Sequence, residues 1–508
     1  MNPGESINSD GVDLTGQAVS DLDQPSEPAT TWSDRYVGFA TLLVALCFPA
    51  IWVYAGYKGF SFNASLSFFA DDYGCVKGVE SFATHCFGDY AVIDDYLAAG
   101  DLWGSPATAS VYPALGWAPT ILTLRVGELV GDPIVGRNLF LALLACSLLT
   151  PAIWAARGSF SRRAPVTFLL IGLASAPFLI VLDRGNVIGL VVAPLLGVAI
   201  SYARGNFRQM MVFIVICSLL KPQMILLVLL FLVYKKYRYL LATGAITAGI
   251  TLAGFATFPS SFPQNIEGWL TALTKFSGYQ SIDVLYPYNL GIGRTLLTIS
   301  DFLQLSAILG EPARVDLAIW LQAHNTLLVI ALLVIVASAI MLRKPGSNLI
   351  FPLVAVISIA VIAPGIAYSY YVAFFLVTVA MVLRDPRDDL AKLANRGRWT
   401  GMLDGPDSSG RRAGPFAKWA LVVGLALLLT PLVVELPAFT GLLTNAPNIV
   451  QPSWMAIITN TPSPPMVAGL IQVLYGPILL CLLLVSAALT IGRIERGTFR
   501  DRLSGPPA

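Results

Sequence analysis

Residues 165–238 read PVTFLLIGLASAPFLIVLDRGNVIGLVVAPLLGVAISYARGNFRQMMVFIVICSLLKPQMILLVLLFLVYKKYR. Four apolar runs, 165–182, 186–203, 207–220 and 222–234, are separated by two kinds of break. Arg204/Arg208 and Lys235/Lys236/Arg238 punctuate one side of the array, and Asp183-Arg184-Gly185-Asn186 and Lys221-Pro222-Gln223 the other. Apolar runs that alternate in this way are membrane-crossing helices joined by short hairpins, with the basic turns retained in the cytoplasm.

The same pattern extends in both directions. Further apolar runs cover roughly 36–56, 112–124, 138–156, 238–258, 318–342, 349–363, 370–383, 417–434 and 467–491. Of the 508 residues 56% are hydrophobic and 12% charged, against about 25% charged in an average soluble protein. Mean hydropathy is +0.71. Lys+Arg 32 against Asp+Glu 30 leaves a net charge of +2, so no nucleic-acid partner is implied. A soluble enzyme, a DNA-binding protein and a disordered scaffold are excluded. The chain reads as an all-α polytopic membrane protein whose partner is the lipid bilayer.

Basic clusters set the orientation. Arg35, Arg157/Arg162/Arg163, Arg204/Arg208, Lys235/Lys236/Arg238, Arg343/Lys344, the stretch from Arg384 to Lys418, and Arg493/Arg496/Arg500/Arg502 hold 23 of the 32 Lys/Arg residues. Placing all of them inside gives about twelve crossings with both termini cytoplasmic. Run 112–124 would invert every later cluster if it crossed, so it is read as an interfacial or re-entrant helix. Residues 1–34 carry seven acids and no Lys or Arg and form an expected disordered cytoplasmic tail. The core 35–258 includes a first outer loop, 57–136, with nine acids; a second outer loop follows at 259–317. Amphipathic stretches at 264–277 and 284–306 predict short interfacial helices there. Helices of 318–491 and a basic cytoplasmic tail, 492–508, complete the plan.

Cys75 and Cys86 are the one cysteine pair in polar sequence. They would bridge in an oxidising compartment and stay free thiols otherwise.

The polar tips carry the chemistry. The arms around Lys221 are only 13–14 residues, about 20 Å at the helical rise, so this tip stops within the membrane. Ionisable residues at such depth face protein or a wet cavity. Arg184 and Lys221 are the cations that a lipid phosphate would require; alternatively Asp183 pairs with Arg184 and Lys221 snorkels.

Several segments now resemble a known family. Asp89-Tyr90-Ala91-Val92-Ile93, Tyr96 to Gly104 and Tyr112-Pro113-Ala114 resemble the first outer loop of glycosyltransferase family 87, the polyprenol-phosphate-mannose-dependent α-1,2-mannosyltransferases of the GT-C superfamily. Gly185-Asn186-Val187, Leu220-Lys221-Pro222 with Tyr234 to Arg238, Tyr288 to Arg294, and Ala363-Pro364 through Tyr371 match later segments in the same order. Three positions depart from the family pattern: Ala114 stands for the second Pro of Tyr-Pro-Pro, Ile188 for an Asn, and Tyr370 for a His.

The resemblance implies a GT-C fold that moves a sugar, expected to be mannose, from a polyprenyl-phosphate donor to a cell-envelope glycolipid or polysaccharide hydroxyl outside the cell. It implies Asp89 as general base, with a helix cap or solvated acid as the alternative. Arg184, Lys221 and Arg294 would hold the donor phosphate, and Asn186, Asn289, Tyr112, Tyr370 and Tyr371 would contact substrate, although an aromatic membrane belt also accounts for the tyrosines. No cofactor and no metal ligand set are assigned, though Asp71-Asp72 or Asp94-Asp95 could coordinate a divalent cation through oxygen. A flippase for lipid-linked sugar and an arabinofuranosyltransferase of the same superfamily are the competing readings.

Overall fold

A computed structural model describes residues 31–57, 90, 93, 111–157, 164–258, 261–275, 289–303, 308, 311–343, 348–365, 367–387, 401–404, 415–429 and 470–491. Asp89, Asp71-Asp72, Asp94-Asp95, Cys75, Cys86 and both tails, 1–30 and 492–508, lie outside these residues. Among the described residues the regular elements are helical, with one isolated β-bridge between Asn289 and Tyr368.

The α-helices are α1 Trp32–Tyr57, α2 Ala118–Val130, α3 Pro133–Arg157, α4 Ala164–Thr167, α5 Ala176–Arg184, α6 Val192–Arg204, α7 Phe207–Leu220, α8 Leu230–Val233 and α9 Tyr237–Ala256. They continue as α10 Gln264–Lys275, α11 Ile292–Phe302, α12 Glu311–Ala323, α13 Asn325–Met341, α14 Ile350–Ile362, α15 Phe375–Leu383, α16 Pro415–Leu429 and α17 Leu470–Ile491. Pro133–Arg157, Val187–Arg204, Tyr237–Ala256 and Leu474–Ile491 are each long and apolar enough to cross a bilayer, and α12 with α13 forms a fifth, bent candidate.

Several spans predicted as single helices are broken. Run 165–182 divides into α4, a π-turn at Phe168–Leu173 and α5. Ala174 N–H reaches back to the Leu169 carbonyl, and Pro177 enters the first turn of α5, so one uninterrupted hydrogen-bond ladder is impossible. Run 222–234 begins as a 3₁₀ helix, Pro222–Leu229, before α8. Run 318–342 bends by 63° at His324 between α12 and α13, although it contains neither Gly nor Pro. Run 112–124, read as non-crossing, is a 3₁₀ turn followed by α2, whose 13 residues reach about 20 Å, short of a bilayer. The amphipathic segments of the second loop appear as α10 and α11.

The core centres on α14 and α15. Every residue of both helices is buried, which a helix apolar on all sides requires. In α9, by contrast, only 17% of the spanning window is buried, so it lines the periphery.

The N-terminus of α1 is held by a distant carboxylate. Trp32 N–H donates to Asp404 Oδ1 at 2.6 Å, and the Ser33 hydroxyl lies 2.7 Å from Asp404 Oδ2 and 2.8 Å from the Val382 carbonyl. Gly401 N–H also donates to Asp404 Oδ2, at 3.1 Å. The Arg35 guanidinium covers the rings of Trp32 and Trp419 at 4.6 and 5.7 Å. Asp404 thus caps α1 from across the chain, satisfying end donors that α1 cannot pair itself. Asp404→Ala removes this cap and should cost about 1–2 kcal/mol. The expected result is a lower thermal unfolding midpoint of the purified protein in detergent; an unchanged midpoint contradicts the capping role.

Candidate active site

Lys221 sits where α7 ends. Pro222 disfavours helical geometry at the residue before it, and Lys221 is extended, at φ −146° and ψ 113°. Its side chain is 3% exposed, and its Nζ lies 3.7 Å from the centroid of the Tyr112 ring and 5.1 Å from that of Tyr371. An ammonium facing two aromatic rings in a desolvated setting is held by cation–π attraction. Gly116 backs this arrangement: a Cβ there would meet the Leu219 and Leu220 carbonyls at 3.3 and 3.1 Å, so the 112–117 segment lies directly on the end of α7.

Tyr112 joins a second tip. Its hydroxyl donates to Asn186 Oδ1 at 3.3 Å, and its ring packs on Trp117 with centroids 4.5 Å apart. Asn186 follows Gly185, which closes α5 at φ 60°, a conformation glycine adopts without steric penalty. The same Oδ1 accepts from Ile188 N–H at 2.9 Å and caps the following 3₁₀ turn. Asn186 is therefore both a structural cap and an anchor for Tyr112.

The third tip supplies Tyr371. Tyr368, Tyr370 and Tyr371 pack in sequence, with ring centroids 5.4 and 5.0 Å apart, and Tyr370 and Tyr371 are buried. Asn289 fastens this turn. Its Oδ1 accepts from Gly291 N–H at 2.8 Å and from Ala367 N–H at 2.9 Å, while its Nδ2 donates to the Gly365 carbonyl at 3.1 Å. The Gly291 backbone packs so closely that a Cβ would lie 2.7 Å from the Gly365 carbonyl oxygen and 2.9 Å from that of Pro364.

The structure thus brings together Tyr112, Asn186, Lys221 and Tyr371, with Tyr370 alongside and Asn289 as the clamp behind them. Arg294, 2% exposed, belongs to the first turn of α11 just beyond that clamp. Arg184 is exposed at the end of α5, so the two tip cations of the sequence differ in burial. Among the described residues no three His, Cys, Asp or Glu side chains gather into a metal-binding group.

Three contributors escaped the sequence reading. Trp117 supports Tyr112, and Trp269 of α10 donates its Nε1–H to the Val111 carbonyl at 3.2 Å, next to Tyr112. Arg137, 1% exposed, lies in α3, one residue before the apolar run that marked the expected span. Pro133, suited to the first helical position, was the available signal that α3 begins earlier.

A cation buried at a helix end and caged by aromatic rings can bind and neutralise an oxyanion. Residues 106–364, just over half of the chain, match the family described as glycosyltransferase family 87. No curated protein and no solved structure matches the chain.

The clamp yields an ordered prediction. Asn289→Ala loses three hydrogen bonds to backbone, worth about 3 kcal/mol together. Asn289→Asp keeps both accepted bonds and loses the donated one. Thermal midpoints should fall in the order wild type, Asp, Ala; an alanine variant as stable as wild type contradicts the clamp.

Proposed function

Since the chain belongs to glycosyltransferase family 87 and is thereby a membrane glycosyltransferase, we propose that it transfers mannose from a polyprenyl-phosphate donor to a hydroxyl of a cell-envelope glycolipid or polysaccharide. The reaction takes place on the extracytoplasmic face of the plasma membrane. The observation that carries this reading is the Lys221 ammonium, 3% exposed and caged by Tyr112 and Tyr371 at the end of a helix too short to cross. A donor that arrives by lateral diffusion in the bilayer can bring its phosphate to a cation at such a helix end.

In the proposed step Asp89 takes the proton of the acceptor hydroxyl, and the acceptor oxygen forms a bond to C1 of the sugar. The bond between C1 and the phosphate oxygen breaks, and its electron pair stays on the departing phosphate. One displacement inverts the anomeric centre, so a β-linked donor gives an α-linked product. Charge grows on the phosphate as it departs, and a preorganised cation in a low-dielectric site acts most strongly there. Lys221 has that task, with Arg294 and Arg184 as further phosphate contacts and Tyr112, Tyr370, Tyr371, Asn186 and Asn289 shaping the sugar site. The expected orientation, with about twelve crossings and both termini cytoplasmic, puts the acids of the first loop on the side where acceptors are found.

Purified protein incubated with radiolabelled polyprenyl-phosphate-mannose and a panel of envelope lipids tests this directly, with polyprenyl-phosphate-arabinose as a parallel donor. Transfer of mannose supports the reading, and transfer of arabinose alone replaces the donor. Asp89→Asn should lower kcat about 10²–10⁴-fold with the fold retained, the usual weight of general-base help. Lys221→Met should lower kcat/KM by two orders of magnitude or so, because it removes a charge-assisted contact to the departing phosphate. Full turnover by either variant removes that residue from its assigned role.

A further inference from the structure

We propose that Gln223 is a further substrate-binding residue, whose side-chain Nε2 donates a hydrogen bond to an oxygen of the donor's phosphosugar headgroup. The proposal deepens the glycosyltransferase reading and rests on it.

Gln223 is the only polar residue in the stretch 222–233, PQMILLVLLFLV. Taking a carboxamide out of water is costly unless it is hydrogen-bonded, and polar side chains kept inside apolar membrane segments mark functional sites. The Gln223 Nε2 is buried and has no hydrogen-bond partner among the described residues. Other carboxamides of the chain serve the fold: Asn289, Asn265 and Asn348 each donate Nδ2–H to a backbone carbonyl.

The local backbone relates Gln223 to the candidate site. Pro222 fixes φ at the start of the 3₁₀ helix Pro222–Leu229, and Met224 N–H donates to the Lys221 carbonyl at 3.0 Å. Residues 221–224 therefore form one closed turn. With three residues per 3₁₀ turn, Met224 and Leu227 share one stripe, and both are buried. Gln223 lies one position off that stripe and is half-buried as a residue. The burial of its nitrogen is thus not a consequence of sitting on the core-facing side. The same turn carries the Lys221 ammonium, 3.7 Å from the centroid of the Tyr112 ring. Cα atoms two residues apart lie within about 7 Å, so a headgroup bound at Lys221 comes within reach of the Gln223 side chain.

The two side chains complement each other. An ammonium is a compact point charge that attracts an anion without fixing its orientation. A carboxamide N–H is a neutral, directional donor, and it adds an orienting bond without repelling the cation. The acceptor is a phosphate oxygen or a sugar hydroxyl of the same headgroup, and the two separate experimentally.

A glutamine kept for a ligand leaves a signature that a structural glutamine does not. An enclosed donor without a partner weakens the folded state, so an apolar side chain of similar length relieves it. Gln223→Met should therefore match or exceed the thermal midpoint of wild type while binding the donor less tightly, a trade of stability against function. Full-length wild type, Gln223→Met and Gln223→Leu are reconstituted in phosphatidylcholine nanodiscs. Each is titrated with undecaprenyl phosphate, undecaprenyl-phosphate-mannose and undecaprenol, and midpoints are recorded without ligand.

The expected result is that Gln223→Met weakens binding of the mannosylated lipid by about tenfold, as a ligand oxygen left without its donor does. Undecaprenol binding stays unchanged. A loss that includes undecaprenyl phosphate assigns the bond to a phosphate oxygen, and a loss confined to the mannosylated lipid assigns it to a sugar hydroxyl. Unchanged affinity for both phosphate lipids overturns the proposal, and so does a loss that extends equally to undecaprenol, which is a packing effect. If Gln223→Met does not fold, Gln223→Leu decides by the same criteria. A lowered midpoint or failure to fold in both variants means that the amide is bonded within the protein, and it overturns the proposal as well. Wild type that transfers no sugar and binds neither phosphate lipid overturns the glycosyltransferase reading too; wild type that transfers sugar beside an unaffected Gln223→Met sinks this inference only.

Discussion

An ammonium group buried among aromatic rings is the interaction around which the rest of the candidate site is arranged. Lys221 cannot reach bulk water from its position, 3% exposed at the end of α7. The faces of Tyr112 and Tyr371 take the place of part of its hydration. That substitution works only if both rings are held in place, and two asparagines hold them. Asn186 fixes Tyr112 by a side-chain hydrogen bond and caps its own turn. Asn289 binds three backbone groups around the turn that carries Tyr371. A cation held this way is ready for an anion without reorganisation, which is the condition for electrostatic help in a transition state.

The helices explain how such a site exists in a membrane. Irregular backbone at membrane depth is tolerated where protein or a cavity surrounds it. Three of the breaks among the described residues lie where helices meet: the π-turn before α5, the 3₁₀ segment after Lys221 and the turn between α14 and α15. The last of these joins the two most enclosed helices of the bundle. Rigid spans therefore present short non-helical tips to one another, and the polar residues sit on those tips. At the opposite end of the α14–α15 hairpin, beside Val382, the Asp404 cap on α1 closes the bundle.

Much of this was legible in the sequence because polar residues are costly in lipid. Lys221-Pro222 and the tyrosines of 368–371 stood out as interruptions of apolar runs, and the structure brings them into contact. Helix breaks were harder to read. The bend at His324 has no glycine or proline to announce it. Pro177 did announce the break in 165–182, but its apolar surroundings hid it. Asn289 and Asn186 were readable as polar residues near the site, yet nothing local revealed that their amides bind backbone; Asn289 meets groups 76 and 78 residues away. Arg137 was missed for a simpler reason: apolar runs were trimmed at charges, so this residue, one turn inside the helix, fell between the outer loop 57–136 and the run 138–156.

The central claim of the proposed function is that Lys221, held in its aromatic cage, binds the phosphate of a lipid-linked sugar. Electron cryomicroscopy of the full-length protein in nanodiscs with a non-hydrolysable polyprenyl-phosphonate sugar tests it most directly. The account predicts phosphonate oxygens at hydrogen-bond distance from Lys221 Nζ, with the sugar beside Tyr112 and Tyr371. A headgroup bound elsewhere, with no phosphonate oxygen within hydrogen-bond distance of Lys221 Nζ, would contradict it.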